Sequence, residues 1–178
     1  MKSLTILLML FLSTQFSNAQ SISGESIKTQ FIKDWELAKV LTDEYLDVMP
    51  DDKYNFKAQD SIRSFAQQML HLAQVTSAMV SNGTGVPRLF VKGRNLEKSP
   101  GAQVKDSVVY YVNASYDFAI NAIKNMDAAK LEEKVKDRTM EETRFSWLLK
   151  AFAHQMHHRG QTTIYIRLVG LKPPAYLE

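Results

Sequence analysis

The stretch AHQMHHRGQ, residues 153–161, holds three of the four histidines of this 178-residue chain. At about 100° per residue, His154 and His158 fall on one stripe of a helix together with Trp147, Ala151, Gln161 and Tyr165, and His157 lies roughly 60° off His154. Helical residues four apart have Cβ atoms about 6 Å apart, so two imidazoles at that spacing can point at one ion. A metal site needs a further ligand from elsewhere, and helix bundles take such ligands from facing helices. The fourth histidine, His71, sits in the apolar-periodic stretch QMLHLAQ and is a candidate third ligand. Three neutral imidazoles leave a coordination position free, the arrangement of catalytic rather than structural zinc sites. An i, i+4 pair also arises by chance, and a lone histidine is more often a satisfied core or surface residue, so both readings stand on spacing alone.

Four segments carry the helical period that would position these residues. The first covers residues 25–48, with Ile27, Phe31, Trp35, Ala38, Leu41, Tyr45 and Leu46 at spacings of three and four, and stops at Pro50. The second covers about residues 61–81, its apolar side marked by Ile62, Phe65, Met69, Leu72, Val75 and Met79. A glycine-, proline- and charge-rich stretch over residues 83–101 reads as a long loop, a length uncommon unless the loop is functional or mobile. The third helix spans about residues 104–126; the charged stretch KLEEKVKDRTMEE that follows reads as a solvated helix turn or loop. The fourth runs from about residue 142 to 169, ended by Gly170, Pro173 and Pro174. The pattern describes an all-α fold, a four-helix bundle.

The first nineteen residues read differently. Lys2, the apolar run LTILLMLFL and the small residues before Gln20 form a secretory signal, so the expected division is a signal peptide at 1–19 and one domain at 20–178, exported to the periplasm or the extracellular space. The apolar run is shorter than the roughly 20 residues a membrane-spanning helix needs. With no cysteine, the chain has neither disulfides nor a lipidated-cysteine anchor, and its stability must come from a core. A net charge of +3, with signs interspersed, offers no track for nucleic acid.

The stretch HQMHHRGQTTIYIRLVGLKPP, residues 154–174, resembles the carboxy-terminal signature of the DinB/YfiT superfamily of metal-binding four-helix bundles. His158, Arg159, Gly160 and Gln161 supply its H-R-G-Q; Arg167, Gly170, Pro173 and Pro174 fall in register with its ending, and Ile166 replaces the usual leucine. His71, Leu72 and Ala73 match its second-helix motif, and the likeness extends over residues 20–178. It implies a divalent ion, zinc or nickel foremost although imidazoles also suit iron and copper, held by His71, His154 and His158, with His157 left over. It implies a metal-dependent hydrolase or thiol S-transferase acting on a small molecule, or alternatively a non-catalytic metal-binding or stress-associated bundle, and it raises a homodimer. Export counts against thiol transfer, since small thiols are mainly cytosolic. Gln161 is expected to hydrogen-bond a ligand imidazole or pack in the core, and Trp147 and Tyr165 to bracket the site. Arg159 is expected to pair with a carboxylate or a chain terminus, and Gly160 to mark close packing against a neighbouring helix. No Asp or Glu stands beside the histidines at helical spacing to act as a base.

Overall fold

The computed structural model describes residues 22–175 apart from Lys92 and Arg94; the expected signal peptide lies outside them. Four helices form: α1 Gly24–Val48, α2 Phe65–Thr84, α3 Lys105–Asn125 and α4 Arg144–Leu168. Their starts follow from caps that satisfy the orphan N–H groups of a first turn. Ser23 Oγ accepts from Ser26 N at 3.1 Å, and Thr143 Oγ1 accepts from Ser146 N at 3.1 Å. Ser64 and Gln67 form a reciprocal capping box. That box moves the start of α2 from the expected residue 61 to Phe65, and leaves Ile62 in the preceding turn, exposed. The helix then continues past Asn82 and Gly83 until Gly85, at φ +82°, returns its N–H to Ser81.

Side-chain contacts fix how the helices run. Phe31 meets Phe145, Trp35 meets Phe152 and Tyr45 Oη meets Thr163 Oγ1, so α1 and α4 are parallel neighbours. Lys28 donates to the Met126 carbonyl and Lys39 pairs with Asp117, so α3 runs against α1. Phe65 packs on Tyr165 while Gly83 meets Leu148, so α2 runs against α4. It follows that α2 and α3 are parallel. A 20-residue helix is about 30 Å long, and the stretch between α2 and α3 has to travel back along that length. The long glycine- and proline-rich loop is this crossover.

Trp35 lies at the centre, fully buried between Tyr116 and Phe152. Two sequence expectations change here. The charged stretch after α3 contains a hairpin, β1 Lys134–Asp137 against β2 Met140–Thr143, in which Lys136 faces Glu141. Its charges are cross-strand neighbours, which stabilise such a pair. Gly160 is exposed, and a Cβ there would meet nothing within 4 Å; the close approach belongs to Gly83, where a Cβ would lie 2.6 Å from Leu148 Cδ2. Among the described residues no helix is long and apolar enough to cross a membrane.

Candidate metal centre

The antiparallel pairing of α2 with α4 sets His71 opposite the two histidines one turn apart on α4. Ring centroids are 4.2 Å apart for His154 and His158, 4.6 Å for His71 and His158, and 5.3 Å for His71 and His154. One nitrogen from each ring lies within 4.8 Å of the others. Nitrogens bound tetrahedrally at zinc distances are about 3.3 Å apart, so small χ adjustments bring this triangle onto an ion. His157 is exposed and outside the triangle. Its Nε2 lies 3.0 Å from the amide of Gln161.

The electrostatics favour neutral rings at His154 and His158. Burial, reinforced by the neighbouring His158 and His71, pushes His154 down to about 3. Burial, then His71 and His157, pushes His158 down to about 4. A neutral imidazole keeps a lone pair for a metal. His154 Nδ1 is buried without a hydrogen-bond partner, the condition of a nitrogen whose partner is not a protein group. The donor set and this orphaned atom fit a divalent transition metal.

Three residues around the rings were not singled out in the sequence. The Gln68 amide lies 2.8 Å from His158 Nδ1. Glu97, in a 3-10 turn of the crossover, places Oε1 2.7 Å from His71 Nδ1, while its Oε2 accepts from Arg63 Nε at 2.6 Å. Burial opposes the charge of Glu97, but the hydrogen bonds from Arg63 and His71 outweigh it and hold the carboxyl below its usual value. No acid stands at helical spacing from these histidines; the carboxylate arrives from the loop instead. The loop's length and its single acid were the only signals available.

The remaining candidates divide. Tyr165 Oη donates to the Arg63 carbonyl at 2.7 Å, beside the site. Trp147 is turned toward the hairpin, its Nε1 donating to the Val135 carbonyl at 3.0 Å. Arg159 is buried but meets no carboxylate: its Nη1 donates to the Ala38 carbonyl and to Thr42 Oγ1, because the parallel neighbour α1 presents a backbone oxygen and a hydroxyl there. His71 opens to a cavity of about 300 Å³ walled by Gly93, Asn95 and Glu97 of the crossover. A larger one, about 730 Å³, has Arg63, Gln68, Glu97, Gln161 and Tyr165 in its lining, with Lys57 and Lys98. The larger cavity thus touches the groups that hold the histidines, and the smaller one touches a histidine itself.

Comparison with known proteins agrees with this architecture. No curated protein matches the chain. A DinB-like protein from Bacillus cereus ATCC 10987 is similar in structure, with a TM-score of 0.68 at 20% identity over 82% of this chain and 95% of that one. A second DinB-like protein, YjoA from Bacillus subtilis, has a TM-score of 0.62 at 14% identity over 84% and 97%. These identities support the fold alone. The DinB family model matches residues 20–177, nearly the whole chain, and the chain therefore belongs to the DinB family.

Proposed function

We propose that this protein is an exported metal-dependent enzyme, a hydrolase of small molecules, that holds one divalent ion, zinc or nickel, through His71, His154 and His158. The observation that carries the reading is the nitrogen triangle, one corner of which opens to a cavity walled by the crossover loop. A structural ion would sit in a closed shell, whereas three imidazoles beside a cavity leave a position for a small ligand. An ion so held supplies Lewis acidity and acidifies water at its free position.

The chain's own residues do the rest. Glu97 and Gln68 hold the His71 and His158 rings through their Nδ1 atoms. Lys57 and Lys98 border the larger cavity, and Ile62, Ile164 and Tyr165 give it apolar wall, so it suits a substrate with both polar and apolar parts. Glu97 is already committed to His71 and Arg63. It orients a ring and is not free to take protons from a substrate.

Elemental analysis of protein purified without an affinity tag tests the site, and a panel of esters, amides and phosphoesters, assayed before and after chelation and after reloading, tests the activity. Absence of a stoichiometric ion sinks the metal reading; a bound ion with no chelator-sensitive hydrolysis across the panel sinks the catalytic one. Export and the homodimer raised by the resemblance belong to the same proposal, and the intact mass of secreted material and light scattering check them.

A further inference from the structure

Glu97 differs from Gln68, which touches His158, in having no freedom to exchange donor for acceptor. A carboxylate only accepts, whereas the Gln68 amide beside His158 offers either an N–H or an oxygen after a half-turn that exchanges its nitrogen and oxygen. The two oxygens of Glu97 face two donors, Arg63 Nε at 2.6 Å and His71 Nδ1 at 2.7 Å. Arg63 Nη2 also lies 3.2 Å from His71 Nδ1. These two contacts on Nδ1 make opposite demands: the guanidinium would need a lone pair there, the carboxylate a proton. The carboxylate contact is shorter by half an ångström and within the charge-assisted range, so Nδ1 carries the proton and the lone pair of His71 is on Nε2.

The position of Glu97 is itself fixed. Leu96 is fully buried and its N–H reaches Gln74 Oε1 at 2.8 Å, while the Glu97 carbonyl accepts from Gln67 at 3.2 Å and Gln103 at 2.8 Å. Two of these anchors are on α2, which carries His71, and the third stands just before α3. The crossover is pinned where its one acid meets His71.

We propose that Glu97 is a positioning residue of the metal centre: held by Arg63, it locks His71 in the Nδ1–H tautomer so that Nε2 is the ligand atom. The inference rests on the reading of His71 as a ligand. Carboxylate partners of metal-bound histidines fix ring orientation in this way, and their loss costs roughly 10–100-fold in metal affinity.

The substitution Glu97→Gln tests it because the replacement is isosteric. Arg63 can only donate, so it draws the introduced carbonyl to itself and turns the NH₂ toward His71, which forces the lone pair onto Nδ1 and the proton onto Nε2. Adding Arg63→Met frees the amide to turn back. Wild type, Glu97→Gln, Glu97→Gln/Arg63→Met and His71→Ala are compared, each checked for helicity by circular dichroism. The tautomer of His71 is read by long-range proton–nitrogen NMR on metal-free protein, and zinc affinity by competition with a chromophoric chelator. The expected results are an Nε2–H tautomer and a roughly 10–100-fold weaker zinc affinity in Glu97→Gln, with both returning toward wild type in the double variant. An Nδ1–H tautomer and wild-type affinity in Glu97→Gln would overturn the proposal, as would failure of the double variant to recover. Zinc affinity unchanged in His71→Ala sinks the three-histidine reading and this inference with it; affinity lost there but unchanged in Glu97→Gln sinks this inference alone.

Discussion

Gly83 of α2 stands so close to Leu148 of α4 that a Cβ would lie 2.6 Å from Leu148 Cδ2 and 2.7 Å from its Cγ, with the Arg144 carbonyl at 3.2 Å. Leu148 is fully buried and cannot swing away. Gly83→Ala is therefore expected to destabilise the bundle by about 1–3 kcal/mol through overpacking. Gly160→Ala, on the exposed side of α4 with nothing near its Cβ, is expected to stabilise by about 1 kcal/mol through helix propensity. Urea denaturation of the two variants checks both signs, and equal shifts in one direction would contradict the packing described.

Removing single histidines separates the triangle from its neighbour. His71→Ala, His154→Ala and His158→Ala each delete one of three ligands and should reduce bound metal sharply, while His157→Ala, exposed and outside the triangle, should leave it nearly unchanged. Elemental analysis of the four variants decides. Loss in His157→Ala with retention in His154→Ala would place the ion elsewhere.

The depressed rings make a statement about acid. His154 and His158 titrate at about 3 and about 4 in the folded protein, against about 6.5 in an unfolded chain. Between those values the unfolded state binds protons that the folded state refuses, so their contribution is full above about 6.5 and is lost as pH falls toward the folded values. Melting temperatures of metal-free protein should thus decline from pH 7 to 4, and decline less in a His154→Gln/His158→Gln variant. The same values imply that protons on these two rings do not displace the ion until pH nears about 4; metal content after dialysis across the range reads this out.

Arg159 supports the α1–α4 contact through neutral acceptors. Its Nη1 bonds to Ala38 and Thr42 continue through Thr42 Oγ1 to Tyr116 Oη and on to Gln155 Oε1, each step 2.8 Å after the first. Thr42→Val keeps the shape but removes the hydroxyl that joins these groups, and is expected to cost about 1–3 kcal/mol. A change under about 0.5 kcal/mol in urea denaturation would mean that the hydroxyl carries no stability.

Much of this molecule was legible beforehand because the relevant information is periodic. The four helices follow from apolar spacing, and the approach of His154 to His158 follows from a step of four on one helix. What stayed hidden depends on how helices are placed against each other. Glu97 is 26 residues from His71 and meets it only because α2 and α3 are parallel. Arg159 finds a carbonyl and a hydroxyl because α4 lies parallel to α1, and no local pattern records that. The hairpin reads in sequence as a solvated helix turn or loop because its strands are four residues each and mostly charged, which leaves little alternation to detect.

The parallel contact of α1 with α4 also bears on how the chain is made. Phe31, Trp35, Ala38 and Tyr45 all complete their contacts with residues between Phe145 and Thr163. On a ribosome adding about 5–20 residues per second, the first helix waits on the order of ten seconds for the last. Until then Trp35 lacks one of the two rings that enclose it, and no partial product has a closed core. Closure of this core therefore waits on the synthesis of α4, and a chain intercepted before α4 emerges is still able to be threaded or degraded.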